Sequence, residues 1–373
     1  MAKKRKSPQQ PADPSEISTT SGVASQAEFD FVLGLIDSAR AQAVASVNTT
    51  LIELYWSIGE YISRKTADRG WGKRTVEVLA EAIRREHPTV GGYSARNLWR
   101  MSQFFETYRD APGLAPLLRG LSWSHNLAIM SRCKRVEERE FYLRLAAGER
   151  WPLRELQRQL GGALFERAVL SPPKLSTPLA ELHPGAGVVF KDSYLVEFLD
   201  LPEVHREHDL EHGLIENLKQ FLMELGRDFC FVGSQYLLQV GGRDFALDLL
   251  FFNRALNCLV AFELKADEFQ PEHLGQLEFY LEALDRDVKK PHERPSIGVL
   301  LCATKDSEVV EYALSRAASP ALVSEYQTRL PDKKLLQAKL HEFYELARGR
   351  SGTTAIESRE PVEATTTKRK RKP

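Results

Sequence analysis

Residues 229–266 read FCFVGSQYLLQVGGRDFALDLLFFNRALNCLVAFELKA, and this stretch decides the fold of the second half of the chain. It contains three segments rich in Phe, Val, Leu and Tyr, the residues that strands favour. Gly241-Gly242 and the segment from Arg254 to Asn257 separate the three and supply the turns between them. The stretch therefore predicts three β-strands that fold back on one another.

Elements on both sides of these strands complete the pattern. Helical periodicity comes before the strands, and a fully apolar segment, SIGVLLCAT, comes after them. The predicted elements are helices at about 205–225, 272–285 and 306–317 and a strand at 296–304. The order α-β-β-β-α-β-α predicts an α/β domain with a mixed sheet and helices packed on it.

The first half of the chain has a helical period instead. Between Phe29 and Lys65, apolar residues recur at three- and four-residue spacing without a proline. Further helices are predicted at 73–87, 95–110, 122–131, 136–147 and 152–168. The chain is therefore predicted to be an α+β protein of two domains, the first all-helical and the second α/β.

Composition indicates where these domains begin and end. At 373 residues the chain is long for one domain, and segments rich in Ser, Pro, Thr and Lys flank and divide it. The predicted segments are a disordered basic tail at 1–25, a helical domain at 26–170, a linker at 171–185, a sheet domain at 186–346 and a second disordered basic tail at 347–373.

Bulk composition excludes several classes of protein. Hydrophobic residues make up 43% of the chain, yet no apolar run approaches the roughly 20 residues that span a bilayer. The basic N-terminus lacks the apolar stretch of a secretory signal. Four cysteines without a Cys-x-x-Cys pair exclude a disulfide scaffold and a ribbon-type zinc site. These features predict a cytoplasmic or nucleoid-associated protein that has no membrane partner.

The net charge of zero hides an asymmetry between the two halves. Residues 26–170 contain 21 Lys and Arg against 17 Asp and Glu, whereas residues 186–346 contain 17 against 28. Both predicted tails carry basic clusters, one of them the run KRKRK at 368–372. A basic half, an acidic half and basic ends favour a nucleic acid as the partner.

Three charged residues interrupt the apolar strands and are candidates for chemistry. Asp248 lies within FALDLLFF, and Glu263 and Lys265 lie two apart in LVAFELKA, so these two share one face of a strand. Buried charges are costly unless they are paired or coordinated, and carboxylates are the hard ligands that Mg²⁺ and Mn²⁺ prefer. A lysine beside them can orient a water or offset charge on a phosphorus centre. The alternative is a structural Glu–Lys pair with a capping aspartate.

These residues form the pattern D-(x14)-E-x-K, and the following helix carries Gln276 and Tyr280 in QLEFY. The pattern resembles the PDDEXK nuclease superfamily. The span from about 30 to 346 resembles the bacterial YhcG-like family, in which a helical N-terminal domain precedes a PDDEXK domain. That resemblance is carried by ELYWSIGEYI, GWGKRTVEVLA, YSARNLWRMSQFFETY, LSWSHN, REFYL and the stretch from FVGSQYLLQV to QLEFYLEALD.

The resemblance implies a catalytic site made of Asp248, Glu263, Lys265, Gln276 and Glu216. Asp248 and Glu263 are expected to bind Mg²⁺ or Mn²⁺, and Lys265 is the expected catalytic lysine. Glu216, in LIENLKQFL, is the expected third metal ligand, supplied by the helix before the strands. Glu211 is the second choice for that carboxylate.

Three histidines offer an alternative metal site. His205, His208 and His212 are spaced to share one helix face, as zinc ligands can. The sequence offers no evident fourth ligand, and the surrounding REHDLEH is typical of a solvated helix start. We therefore expect no zinc there.

A second functional surface is predicted in the helical domain. The helices at 73–86 and 94–108, with a four-residue turn before Tyr93, resemble a helix-turn-helix, whose second helix enters the major groove. Between residues 62 and 109, ten basic residues face five acidic ones, which favours contact with phosphates. The expected nucleic-acid-binding residues are Lys73, Arg74, Arg96, Asn97 and Arg100. The alternative is a helical bundle that contacts only proteins.

Together these features predict a metal-dependent nuclease that hydrolyses phosphodiester bonds in duplex or branched DNA. Endonuclease or exonuclease action in DNA recombination, repair or defence, and assembly into a homo-oligomer, are the expectations for such a protein. The alternative from another class is a non-catalytic DNA-binding or assembly protein that uses a nuclease-like fold for recognition. The intact set of Asp248, Glu263 and Lys265 favours the enzyme.

Overall fold

The computed structural model describes residues 26–68 and 72–356, with side chains described for residues 46–68 and 72–345. It confirms an α+β protein with a helical N-terminal domain and a mixed sheet flanked by helices. The predicted tail at 1–25 and residues 357–373 of the second predicted tail lie outside the described residues. None of the described helices combines the length and apolar character needed to cross a membrane.

The helical domain is built around a long first helix. Its helices are α1 (Gln26–Ala67), α2 (Lys73–Glu86), α3 (Ala95–Tyr108), α4 (Ala115–Gly120), α5 (Trp123–Arg132), α6 (Val136–Gly148), α7 (Leu153–Gly161) and α8 (Leu164–Leu170). Ser94 caps α3, since its side chain accepts a hydrogen bond from the Asn97 N–H at 3.3 Å. Gly59 of α1 allows α3 to approach, because a Cβ there would lie 2.1 Å from the Met101 carbonyl oxygen.

The prediction of a single helix at 152–168 is wrong, because this segment forms two helices, α7 and α8. Ala163, between them, adopts a left-handed conformation with φ of 52°. An α-helix of L-residues cannot continue through that conformation. The preceding pair Gly161-Gly162 favours such a break, because glycine is conformationally free and weakens a helix.

The second domain begins with two short helices, one of which lies within the predicted linker. Its elements are α9 (Thr177–Leu182), α10 (Ala186–Val189), β1 (Ser193–Leu195), α11 (Glu207–Glu216), α12 (Leu218–Leu225), β2 (Phe229–Val240), β3 (Arg243–Asn253), β4 (Cys258–Glu268), α13 (His273–Ala283), β5 (Ile297–Thr304), α14 (Ser307–Ser315), β6 (Ala321–Gln327) and α15 (Lys333–Ile356). The last helix therefore extends into the segment predicted as the second tail.

One mixed sheet organises this domain. The strand order in the described chain is β1-β6-β5-β4-β3-β2. Strands β2, β3 and β4 are antiparallel neighbours, which confirms the three predicted strands, and β4, β5, β6 and β1 run parallel. β4 lies near the centre, and helices cover both faces of the sheet around it. Every residue from Cys258 to Leu264 is therefore buried, including the charged residue Glu263.

A buried ionic cluster joins the two domains. Glu224 of α12 is fully buried, and its Oε2 accepts hydrogen bonds from Arg158 and from Gln159 Nε2, the latter at 2.8 Å. Its Oε1 accepts from Lys191 Nζ at 2.9 Å and from the Leu195 N–H at 3.2 Å. We call Glu224, Arg158, Gln159 and Lys191 the interface cluster. Both carboxylate oxygens are satisfied, so this is a well-compensated buried charge.

The last helix returns to the helical domain. α15 packs on α8, and its Leu340 is buried in the core of the helical domain. At the start of the helix, Lys333 Nζ donates to the Leu160 carbonyl at 2.8 Å. The end of the segment predicted as the sheet domain therefore completes the other domain.

Candidate active site

The ends of β3 and β4 bring Asp248, Glu263 and Lys265 together. The last residue pair between the two strands is Leu249 with Phe262, so the pairing stops next to Asp248 and Glu263. Asp248 Oδ2 instead accepts the backbone N–H of Leu264 at 2.8 Å. Lys265 Nζ lies 3.1 Å from Glu263 Oε1. We call Asp248, Glu263 and Lys265 the strand-end cluster.

Glu263 is buried without full compensation. The residue is only 3% exposed, and its Oε1 accepts from Lys265. Its Oε2 is buried and has no hydrogen-bond partner among the described residues. Leaving a buried polar atom unpaired costs about 1–3 kcal/mol, and more for a charged group. The fold therefore maintains an oxygen that is ready to receive a cation or a donor.

The carboxyl groups of this cluster have perturbed acidities. Burial, followed by the charge of Asp248, raises the pKa of Glu263 to about 7, although Lys265 acts in the opposite direction. Burial also raises the pKa of Asp248, against the backbone hydrogen bond that it accepts, and the charge of Glu211 adds to the rise. Burial alone would lower the pKa of Lys265, but Glu263 and Glu207 raise it, so the ammonium stays charged. A positive ion beside the two carboxylates would relieve their repulsion.

Helix α11 brings Glu207 and Glu211 to this cluster, but it does not bring Glu216. Glu207 Oε1 lies 3.5 Å from Lys265 Nζ. The Glu216 side chain is 65% exposed and its carboxylate lies 3.3 Å from His212 Nε2. Glu216 does not reach the site because α11 ends at this residue, whereas one continuous helix was predicted from about 205 to 225. The helix is interrupted before α12, so the apolar residues of α11 and α12 do not share one inward face.

Gln276 is linked to the site through a tyrosine. Gln276 Nε2 donates to the Tyr280 hydroxyl at 2.9 Å, and that hydroxyl donates to the Ala246 carbonyl at 3.0 Å. Ala246 lies on β3, two residues before Asp248. Gln276 and Tyr280 of α13 therefore tie that helix to the strand that carries Asp248.

Gln235 of β2 is a site residue that sequence reasoning missed. Its Nε2 donates to Asp248 Oδ1 at 3.3 Å, and its φ is +45°, in the left-handed region. The turn at Gly241-Gly242 offered a signal. Counting back from the pair Val240 and Arg243 on either side of that turn places Gln235 opposite Asp248.

His205 has contacts separate from those of His208 and His212. His205 is bonded to the Pro202 carbonyl at 3.0 Å and to the Tyr326 hydroxyl at 2.7 Å. His208 and His212 stack, with ring centroids 6.1 Å apart. Among the described residues, no group of three or more His, Cys, Asp or Glu side chains is arranged to hold a metal ion.

The strand-end cluster nevertheless has the donors for a hard divalent cation. Asp248 and Glu263 offer oxygen atoms only, and Glu263 Oε2 has no partner within the described chain. Mg²⁺ is typically held by one or two carboxylates, with water and substrate oxygens completing its shell. Two protein carboxylates therefore fit Mg²⁺ or Mn²⁺, whereas zinc favours nitrogen and sulfur ligands.

The helical domain has an exposed groove with basic walls. Lys73, Arg96 and Arg100 line it together with one acidic residue, Glu77. A second groove shares Arg100 and Gln103 and adds Arg132. We call Lys73, Arg96, Arg100 and Arg132 the basic groove. Three of the expected nucleic-acid-binding residues thus share one surface.

Asn97 and Arg74 differ from the other expected nucleic-acid-binding residues. The Asn97 Nδ2 donates to the Gly92 carbonyl at 2.6 Å, and its Oδ1 accepts from Trp123 Nε1 at 3.0 Å. Both ends of this amide therefore make a hydrogen bond inside the domain, which holds the Asn97 side chain against Gly92 and Trp123. Arg74 is exposed on α2 but lines neither groove.

The connection between α2 and α3 is too long for a helix-turn-helix. It spans residues 87–94, whereas a helix-turn-helix has a turn of about 3–4 residues. α3 makes its main packing contact with α1. The arrangement therefore departs from a helix-turn-helix, although it presents a basic helix surface.

Comparison with known proteins finds matches over both domains. The DUF1016 N-terminal domain matches residues 32–167, and the YhcG PDDEXK nuclease domain matches residues 188–341. The protein named "Putative nuclease YhcG" from Escherichia coli (strain K12) is 32% identical over an alignment 370 residues long. The alignment covers 87% of this chain and 97% of that protein.

Two solved structures illustrate the likeness of this chain to known folds. The crystal structure of a repair endonuclease from Pyrococcus abyssi is 14% identical, with a TM-score of 0.23, over 34% of this chain and 48% of that chain. The structure of an EndoMS-dsDNA2 complex is 16% identical, with a TM-score of 0.23, over 35% of this chain and 47% of that chain. The matched part thus spans about half the length of each of these structures.

Proposed function

Because the chain belongs to the YhcG family, with a DUF1016 N-terminal domain and a YhcG PDDEXK nuclease domain, we propose that it hydrolyses phosphodiester bonds in DNA with the help of a divalent metal ion. The family resemblance predicted from the sequence is confirmed. DNA recombination, repair or defence is the kind of process that such an activity serves.

The observation that carries this proposal is the incompletely bonded Glu263. Its Oε2 is buried and unpartnered within the described chain, beside a second carboxylate, Asp248, and an ammonium, Lys265. A purely structural ion pair in a sheet gains nothing from an unsatisfied oxygen. A metal site gains a ligand atom that needs no rearrangement before it binds.

Asp248 and Glu263 are the residues that would hold the metal ion. Glu211 of α11, whose charge already acts on Asp248, takes the place expected for Glu216 as a further carboxylate. A bound Mg²⁺ or Mn²⁺ supplies charge neutralisation at the phosphate and makes a nearby water more acidic.

Lys265 supplies the positive charge of the protein itself. Its Nζ is held between Glu263, at 3.1 Å, and Glu207, at 3.5 Å, so its position is fixed before a substrate arrives. A preorganised ammonium stabilises the charge that develops on a phosphate oxygen in the transition state. We assign Lys265 that role, with Gln276 supporting β3 through Tyr280.

The basic groove is proposed as the grip on DNA. The segment 186–346 carries 28 acidic and 17 basic residues, so it offers little attraction for phosphates outside the site. Lys73, Arg96 and Arg100 line an open surface of the other domain, where backbone phosphates can be bound without reading sequence.

The test is cleavage of labelled linear duplex, branched and single-stranded DNA, with RNA alongside, in Mg²⁺, in Mn²⁺ and in EDTA. We expect cleavage of DNA only with metal, and none by Asp248→Ala or Glu263→Ala. Circular dichroism and melting curves of each variant establish that it is folded. The exposed Glu216→Ala, from the helix beside the site, is the matched control and should cleave like the wild type.

Two results would contradict this function. Undiminished cleavage by both Asp248→Ala and Glu263→Ala would remove the assignment of the site. Metal-independent DNA binding without cleavage of any substrate would favour the non-catalytic alternative, a protein that recognises DNA through a nuclease-like fold.

A further inference from the structure

Gln235 combines backbone strain with contact to the strand-end cluster. The register of β2 with β3 places it opposite Asp248, between the pairs Ser234–Leu249 and Tyr236–Leu247. Its φ of +45° is uncommon for a residue with a side chain. Residues held in such conformations concentrate at functional sites, where the surrounding structure imposes them.

The contact fixes the orientation of Asp248. Gln235 Nε2 donates to Oδ1 at 3.3 Å, and the Leu264 N–H donates to Oδ2 at 2.8 Å. A carboxylate oxygen has two lone pairs. Each oxygen of Asp248 therefore keeps one lone pair free while its direction is set by a donor.

The same hairpin contains a second pair that serves as a reference. Gln239 lies opposite Asp244, and its Nε2 donates to Asp244 Oδ1, also at 3.3 Å. Gln239 does not have a positive φ, and both members of this pair are exposed. Cross-strand pairing of glutamine with aspartate therefore does not by itself require a left-handed residue.

We propose that Gln235 is a positioning residue, whose amide orients Asp248 to bind a divalent cation together with Glu263. This inference rests on the proposed function, because it concerns the same metal site. It assigns Gln235 no contact with the reacting atoms. Its effect passes through Asp248, so it is expected first in metal affinity.

The experiment measures Mn²⁺ binding to the full chain by the loss of the free-ion electron paramagnetic resonance signal, without substrate. Gln235→Gly removes the amide but suits a positive φ, so the melting temperature should not fall below that of Gln239→Gly. Its Mn²⁺ dissociation constant should rise about 10–100-fold, as for the removal of supporting partners of metal ligands. Gln239→Gly, the matched control, should bind Mn²⁺ like the wild type.

Gln235→Asn tests the chemical basis of this effect. Asparagine keeps an amide and tolerates a positive φ, so it should recover part of the affinity that Gln235→Gly loses. A purely structural role predicts instead that affinity follows the melting temperature in all variants. Equal Mn²⁺ affinity in Gln235→Gly and Gln239→Gly would overturn the inference.

Asp248→Ala separates this inference from the proposed function. If Asp248→Ala loses Mn²⁺ while Gln235→Gly keeps it, the metal site stands and the role of Gln235 is wrong. If the wild type binds no Mn²⁺, or Asp248→Ala binds it unchanged, the metal site and the inference fall together.

Discussion

Two buried carboxylates, Glu224 and Glu263, have opposite surroundings in the same domain. Glu224 is 0% exposed and accepts four hydrogen bonds. Burial alone would raise the pKa of Glu224, but Lys191, Arg158 and Arg167 hold it at about 2. Glu263 is 3% exposed, and one of its oxygens is unpartnered in the described chain. Burial and Asp248 raise the pKa of Glu263 to about 7.

The contrast shows that burial of a charge does not by itself indicate function. The interface cluster surrounds Glu224 with enough donors to offset its desolvation, and no lone pair is offered to a ligand. The strand-end cluster leaves Glu263 and Asp248 short of positive charge. Glu138 and Glu166 are also buried with one oxygen unpartnered in the described chain, so what sets Glu263 apart is the unpartnered oxygen together with a second carboxylate, Asp248, beside it.

The largest effect is expected when the satisfied cluster is broken. Glu224→Ala leaves the half-buried Lys191 without its carboxylate and removes one of the three carboxylates that Arg158 contacts, so the free energy of unfolding should fall by about 3–5 kcal/mol. Urea denaturation measures this decrease. Glu216→Ala removes an exposed carboxylate from the neighbouring helix and should change stability by less than about 0.5 kcal/mol. An equally small change in the free energy of unfolding of Glu224→Ala would refute the contrast between Glu224 and Glu263.

Removing the ammonium of Lys265 from the strand-end cluster should change the rate of cleavage more than the stability of the protein. Lys265→Met keeps most of the apolar stem, and in Mg²⁺ its melting temperature and Mn²⁺ binding should stay near those of the wild type. Cleavage should slow by about 10²–10³-fold, or about 2.7–4 kcal/mol, as for the removal of one preorganised donor. A large drop in melting temperature, with no wild-type cleavage to lose, would make Lys265 a structural partner of Glu263.

The stabilisation of the protein by a divalent cation should depend on Glu263 and should not depend on Glu224. At a Mn²⁺ concentration about 100 times the dissociation constant, binding adds about 2.7 kcal/mol to the free energy of unfolding. Denaturation with and without Mn²⁺ should show this gain in the wild type and in Glu224→Gln, but not in Glu263→Ala. An equal gain in all three proteins would place the bound ion elsewhere.

Acid should weaken the interface cluster over a defined range of pH. The pKa of Glu224 is lowered from 4.5 to about 2 on folding, so its contribution is present above pH 4.5 and is lost as the pH falls through 2. The stability difference between wild type and Glu224→Gln should narrow by roughly 2 kcal/mol between pH 5 and pH 3. A constant difference would contradict the depressed pKa.

The smallest effect is expected from exposed charges that belong to neither cluster. Replacing Arg96 and Arg100 with Ala should weaken DNA binding and flatten its log–log salt dependence by about one unit for each phosphate that is no longer bound. Fluorescence anisotropy at several salt concentrations measures the slope. Arg286→Ala, which removes an exposed cation from the sheet domain, should leave it unchanged. An unchanged slope in the double variant would assign the helical domain to protein contacts.

Sequence reasoning succeeded where a property is local. The apolar segments and the turn at Gly241-Gly242 specify β2, β3 and β4, and the hairpin that follows places Asp248 beside Glu263. Strands β1 and β6 were missed because β1 has only three residues and β6 contains Ser324 and Glu325 in its short run. A three-residue strand has no periodicity to detect.

The rest depends on contacts between distant segments. The break between α11 and α12, which moves Glu216 away from the site, falls in a sequence with unbroken helical character. Glu224 lies in an apolar helical stretch, and its partners Arg158 and Lys191 are 66 and 33 residues away. Only the folded chain shows that Glu224 is saturated and Glu263 is not.

The return of α15 to the helical domain has a consequence for biosynthesis. Leu340 fills part of a core whose other residues, such as Leu143 and Leu164, are made far earlier. On the ribosome, the first domain must therefore hold apolar surface open until the entire sheet has been synthesised. Exposed surface of this kind is what chaperones recognise and what promotes aggregation. The two domains are therefore expected to mature as one unit after translation, rather than one after the other.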